Sequence, residues 1–240
     1  MSSLSSDLLV APQDLFDITS ANSSSDVTQL GALATTGDGR YYRFVTAGGT
    51  ALVPGKLQQS AAETTGWENL AIAAAAIGAT SITTTSTVTV TANQLTGGYA
   101  MVTTATGVGY QYQIGTHPAA TAAVLTFNLV DPIIVALDTT SRLDLVMNPY
   151  ASVIVNPASA SGIPVGVAVA ATPAAGYGWV QCRGVANVLA DGAITVGTAL
   201  VASNATAGAV EALTGVQQIV GTALTGISTT EYGSVALNLS

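Results

Sequence analysis

The chain has very little charge. Only 8% of its 240 residues are Asp, Glu, Lys or Arg, against roughly 25% in an ordinary soluble domain. A surface so poor in ions is either covered by hydroxyls, amides and backbone, or buried against copies of itself or a partner. The second option explains more, because 49% of the residues are hydrophobic. Cations are scarcest: Arg40, Arg43, Lys56, Arg142 and Arg183 face thirteen acids, for a net charge of −8. There is no basic stripe with interleaved aromatics, so binding to DNA or RNA by counterion release has no source. Direct contact with nucleic acid is not expected.

Reactive side chains are equally few. The one cysteine, Cys182, lies in Trp179-Val-Gln-Cys182-Arg183. It excludes an internal disulfide and a multi-cysteine metal site, and it reads as a small buried hydrophobe. The one histidine, His117, sits in Gly115-Thr-His-Pro118 just past an expected strand. A Ser-His-Asp or Cys-His arrangement would have to use it. No G-x-S-x-G elbow exists, however, and Cys182 is placed mid-strand, not at a helix N-terminus. His117 is expected to be a turn residue bonded to backbone. Long apolar runs are missing too: Leu70–Ile77 ends at Gly78 after eight residues, too few to cross a membrane. Met1-Ser-Ser-Leu-Ser-Ser-Asp7 offers no cationic stretch leading into an apolar one, so no secretory signal is expected.

Several near-motifs fail on spacing. In Gly49-Thr-Ala-Leu-Val-Pro-Gly55-Lys56 the position five before Gly55 is Thr50, and Leu57 stands where a phosphate loop needs Ser or Thr. The segment is expected to be a turn between strands. The nearest carboxylate pairs are Glu63 with Glu68, Asp131 with Asp138, and Asp138 with Asp144; spacing alone makes none of them a glycosidase pair. Asp138-Thr-Thr140 lacks the glycine of an aspartic protease, and Trp67 and Trp179 are a thin supply of stacking platforms for saccharide. Thr36-Gly-Asp38-Gly-Arg40 offers one carboxylate, so it suits a hairpin turn better than a calcium loop. The glycosylation triplets at Asn22, Asn204 and Asn238 carry no weight without a signal peptide. No catalytic, metal-binding or cofactor-binding residue is assigned, no cofactor is expected, and the chain is read as non-enzymatic.

What is present is a succession of short alternating runs from about Gly37 onward, separated by Gly, Pro, Asn and Asp, the pattern of strands and turns. Ser81–Thr91 is expected as the longest, with alternate Ser and Thr on one face and Ile82, Val88 and Val90 on the other. Tyr99–Thr103 and Val108–Ile114 read as a hairpin with Val108, Tyr110, Tyr112 and Ile114 on one face. Val124–Val130 turns Leu125, Phe127 and Leu129 inward. Further strands are expected at Ile133–Leu137, Leu143–Met147, Val153–Val155, Val165–Val169, Gly178–Cys182, Ala193–Val196, Gln218–Val220 and Val235–Leu239. Val196-Gly-Thr-Ala-Leu200 recurs as Val220-Gly-Thr-Ala-Leu224, with Val165-Gly-Val-Ala-Val169 a looser third copy, read as one local solution, a strand leaving a Gly corner, used more than once in a small barrel. Leu70–Ala79 is a helix candidate on Ala content alone. The expected organisation is all-β: an extended N-terminal arm over 1–36, a β domain over 37–157 and a small β-barrel domain over 158–240. The two domains are antiparallel barrels or sandwiches, divided at Asn156-Pro157.

Certain phrases together resemble a known family. Gly37-Asp-Gly-Arg-Tyr-Tyr-Arg-Phe-Val45, Gly48-Gly-Thr-Ala-Leu52 and Gly55-Lys-Leu57 resemble the opening of small virion proteins of tailed phages. Tyr177-Gly-Trp-Val-Gln-Cys-Arg-Gly184, Ala190-Asp-Gly192, Ala207-Gly-Ala-Val210 and Val220-Gly-Thr-Ala-Leu224 resemble capsid decoration, or cement, proteins. The resemblance implies small β-barrels on the capsid exterior, often as homotrimers, that clamp the lattice of major capsid protein. It brings no catalytic or metal residues with it. The alternative is a tail, fibre or spike component with a host-cell- or carbohydrate-binding β domain; it predicts an exposed cluster of Tyr41, Tyr42, Tyr110 and Tyr112.

Overall fold

The computed structural model describes residues 29–239, which form strands, turns and bridges with no helix. The fold is all-β, as the alternating runs require. The chain makes β1 (Leu33–Thr35), β2 (Tyr41–Thr46) and β3 (Leu57–Gln59), then β4 (Leu70–Ala71), β5 (Ser81–Thr85), β6 (Tyr99–Thr104), β7 (Gln111–Gln113), β8 (Val124–Asn128) and β9 (Arg142–Val146). It continues as β10 (Ile154–Val155), β11 (Pro164–Ala168), β12 (Tyr177–Leu189), β13 (Ala199–Ala202), β14 (Val210–Ala212), β15 (Gly221–Ala223) and β16 (Tyr232–Asn238).

The division into units differs from the one expected. Among the described residues, Glu63–Asn148 is one unit, inserted into another built from residues 29–62 and 149–239. The boundary does not fall at Asn156-Pro157, because β3 pairs with β10 and β11, and β2 pairs with β12. Those ladders stitch residues from before the insertion to residues after it. Part of the expected arm over 1–36 is also sheet: Leu33–Thr35 pairs with β2, while residues 1–28 lie outside the described residues. The helix candidate is extended instead. Leu70 and Ile72 are buried and Ala71 is exposed, and Ile72 and Ala75 bridge to Thr84 and Leu137. Ala content is a weak prior that period-two burial overrides.

In the two-part unit, β12 belongs to two ladders. Its first half, Tyr177–Arg183, pairs with β2, and Val180 and Gln181 pair with β11 on the other edge. From Arg183 to Leu189 it pairs with β16. The change comes at a register irregularity between Gln181 and Arg183 and at Gly184, whose φ is +87°. A Cβ there would stand 2.9 Å from Arg40 Cγ, so the corner demands glycine on both conformation and space. Beyond it β16, β15, β13 and β14 pair in turn. A parallel bridge from Ala190 to Val210 and the Asp191 N–H on the Val210 carbonyl (2.8 Å) bring β14 back to the end of β12, closing a small barrel. Val188, Leu200, Val210 and Val235 fill it, each fully buried. Tyr42, Phe44 and Trp179 form a separate aromatic cluster, the last two ring edge to ring face at 5.1 Å. The two Val-Gly-Thr-Ala-Leu words pair with each other, Ala199 opposite Thr222 and Leu200 opposite Gly221. Their leading valines diverge: Val196 is 68% exposed and Val220 is fully buried.

In the inserted unit, β4-β9-β6-β7 form one ladder and β5-β8 another. The bridges Ile72 to Thr84 and Ile114 to Leu129, with Ala73 N–H on Thr83 O (2.9 Å) and Gly115 N–H on Asn128 O (2.7 Å), join the two into a ring. Leu125, Phe127 and Leu129 point inward as expected, around a core that includes Ile82, Leu95, Leu143 and Trp67. Burying Phe127 completely stabilises the unit by roughly 1.5–3 kcal/mol. Two expected strands are shorter than their patterns. In Ser81–Thr91 the strand ends at Thr85, the Ser86 N–H still reaching the Ala123 carbonyl (3.1 Å) while its hydroxyl turns onto the Val88 carbonyl, and a Val90–Ala120 bridge follows. Val108 and Tyr110 lie before the start of β7 and are exposed, while Tyr112 and Ile114 are buried. Ile133–Leu137 and Ala193–Val196 form no strands, and Gln218–Val220 gives way to β15.

Candidate functional site

His117 is buried where the chain leaves β7. Its Nε2 accepts the Leu95 N–H (2.9 Å), which places the ring proton on Nδ1, 2.8 Å from the Pro118 carbonyl. Its own N–H donates to Asn93 Oδ1 (3.0 Å), and its carbonyl accepts the Asn93 N–H (3.0 Å). Both ring nitrogens are thus spent on backbone, the turn role expected of it. Cys182 is also where its setting placed it, buried within β12 with its thiol on the Tyr41 carbonyl at 3.4 Å. Burial pushes that thiol up from its ordinary pKa.

The carboxylates serve their own loops. Asp138 accepts from the hydroxyls of Thr106 and Thr140 and from the Thr140 N–H (2.7 Å). Those donors, Thr106 first, hold its pKa down to about 2. Asp144 accepts the Asn69 N–H at 2.7 Å. Glu63 hydrogen-bonds and repels Glu68, raising the Glu68 pKa, and Asp144 adds to the repulsion. Among the described residues, no group of His, Cys, Asp and Glu is arranged to hold a metal ion. Thr36–Arg40 is a hairpin turn, with the Arg40 Nε on Asp38 at 2.7 Å and the Thr36 N–H on the Arg40 carbonyl at 3.1 Å. The Thr36 hydroxyl first, and Arg40 after it, lower the Asp38 pKa. Gly49–Lys56 turns as expected, the Lys56 N–H on the Val53 carbonyl at 3.2 Å.

The four tyrosines divide between the two units. Tyr41 and Tyr42 are in one unit, Tyr110 and Tyr112 in the other. Tyr42 and Tyr112 are buried, and only Tyr110, at 40%, is openly exposed.

No protein-family model, no curated protein and no solved structure matches this chain.

Two surface features stand out in the two-part unit. The first is the outer face of its small barrel, where the ladders align Val185, Ala236, Thr222 and Ala199 in one uncharged row across four strands. Val185 is 56% exposed, and Leu224 and Tyr232 nearby on the same face are 44% and 46% exposed. The second is a cleft of about 460 Å³ walled by Pro54, Val167, Ala168, Ala186 and Tyr232, with Arg40 its one charged lining residue. The Tyr232 ring sits on Gly55, where a Cβ would come within 2.6 Å of Cε1, so the cleft keeps its shape only with glycine there. Neither feature is visible locally in the sequence. Strand pairing assembles both from residues as distant as Arg40 and Tyr232.

Proposed function

We propose that this chain is a structural protein of a tailed-phage virion, a decoration protein that binds the exterior of the capsid lattice and stabilises it without catalysis. The observation that carries the reading is the uncharged outer row Val185, Ala236, Thr222 and Ala199 with exposed Leu224 and Tyr232 beside it. Small rigid side chains lose little rotamer entropy when covered, so such a face suits a protein partner. Ile77, Val124 and Ile134 leave the inserted unit similarly apolar outside, at 68%, 64% and 64% exposure. Weak contacts repeated over a lattice gain strength from avidity, and the family resembled here commonly adds trimerisation. The alternative, a carbohydrate-binding fibre or spike domain, loses its expected platform, because Tyr42 and Tyr112 are core residues.

The test is the copy number of the protein in purified virions, paired with rebinding to capsids stripped of it. Hundreds of copies per particle, and loss of rebinding in a Val185→Asp/Leu224→Asp variant that melts like wild type, are the expected results. A dozen copies or fewer would place the protein in the tail or fibre instead, and undiminished rebinding of the variant would remove the outer face from the contact.

A further inference from the structure

The outer row of the small barrel ends in a cation. By the register of β12 with β16, Arg183, Val185 and Asn187 share one face with Asn238, Ala236 and Ser234 opposite them. None of the six is an acid, in a chain whose net charge is −8. Arg183, Val185 and Asn187 are all exposed. Among the described residues the one ion pair is Arg40 with Asp38, beside Val185, and as a pair it adds no net charge to this face. Arg43 and Arg142 spend their guanidinium groups on backbone carbonyls. Arg183 does neither. Its guanidinium stacks over the Tyr41 ring at 5.6 Å and, among the described residues, has no carboxylate partner.

An arginine held this way is prepared for an anion. Stacking on an aromatic ring restricts the side chain in advance, so less rotamer entropy is lost when its fork of N–H donors closes on a planar carboxylate. Nucleic acid and anionic lipid fit the site poorly, because a polyanion meets the repulsion of the whole chain. A single carboxylate on a protein surface does not: beyond about 10 Å salt screens the other charges, and the close pair alone counts. The methyl groups of Val185 and Ala236 ask for an apolar neighbour to that carboxylate.

We propose that Arg183 is the anchor of the outer face, and that the protein surface docking there presents an Asp or Glu to it beside an apolar side chain that covers Val185. The inference rests on the capsid reading for the identity of the partner, and adds the chemistry that the partner must have. Once the rim of the contact excludes water, the Arg–carboxylate pair fixes orientation and register as well as adding affinity.

Rebinding to stripped capsids, measured from about 50 to about 500 mM NaCl, tests the pairing. Wild type should weaken as salt rises. Arg183→Gln should bind about tenfold less tightly at low salt, with a flatter salt profile. Arg183→Lys should fall between the two and keep the wild-type slope. Arg183→Glu should be weakest at low salt and recover as salt screens the repulsion. A role confined to packing on Tyr41 would instead weaken all three alike and leave the salt profile of the wild type, and that result overturns the proposal. So does wild-type binding by Arg183→Glu; if Val185→Asp/Leu224→Asp then still fails to rebind, the capsid reading stands without the pairing. A wild type that does not rebind removes both. Sedimentation velocity covers the remaining occupant: an oligomer that Arg183→Glu converts to monomer assigns the carboxylate to a second copy and overturns the capsid partner. Unchanged melting of each variant, followed by tryptophan emission, verifies that it is folded.

Discussion

Replacing His117 with alanine tests whether the only histidine is architectural. The ring joins two loops of the inserted unit: Nε2 holds the Leu95 N–H at 2.9 Å, and Nδ1 holds the Pro118 carbonyl at 2.8 Å. Alanine removes both partners from a site only 3% exposed, where each orphaned backbone group costs about 1–3 kcal/mol. A total near 3 kcal/mol is expected, because the carbonyl tolerates loss of its partner better than the N–H does. In a unit of fewer than about 100 residues, 1 kcal/mol moves Tm by about 4–8 °C, so the expected fall is about 12–24 °C. The assay is thermal melting of the full chain followed by tryptophan emission. Trp67 reports the inserted unit and Trp179 the other, so a Trp179→Phe background isolates the relevant transition. His117→Gln, which can still present an acceptor to Leu95, should recover about half of the loss. Thr121→Ala, an exposed surface change, should stay within about 0.5 kcal/mol. A His117→Ala protein that melts with the Thr121→Ala control would refute the architectural role.

Two more substitutions follow from the geometry. Asp138 has a folded pKa of about 2 against an ordinary 3.8, so its carboxylate stabilises the fold fully above about pH 4 and loses that contribution as pH falls through about 2; the melting difference between wild type and Asp138→Asn should be present at neutral pH and vanish in strong acid. Gly184→Ala forces a side chain into φ +87° and against Arg40 Cγ at 2.9 Å and Cα at 3.1 Å. The conformation costs roughly 1–2 kcal/mol and the crowding about 1–3 kcal/mol, so urea unfolding read by Trp179 in a Trp67→Phe background should show a loss of about 3 kcal/mol.

The sequence by itself determined the class of structure. Alternation in Val124–Val130 put Leu125, Phe127 and Leu129 in the core, because a pleated strand next to a core has only one way to bury every second side chain. The turns at Thr36–Arg40 and Gly49–Lys56 were likewise legible from their glycines. Local pattern could not say which strands pair. That Leu57–Gln59 lies against Ile154–Val155 and Pro164–Ala168, making 63–148 an insertion, depends on contacts distant along the chain that carry no local signal. Composition misled at Leu70–Ala79 for the same reason: alanine favours helix by tenths of a kcal/mol, and bridges to Thr84 and Leu137 outweigh that preference. The outer row and the Arg40 cleft exist only because β12 turns at Gly184 from one ladder to the next, so the surfaces available to a partner were decided by the tertiary structure alone.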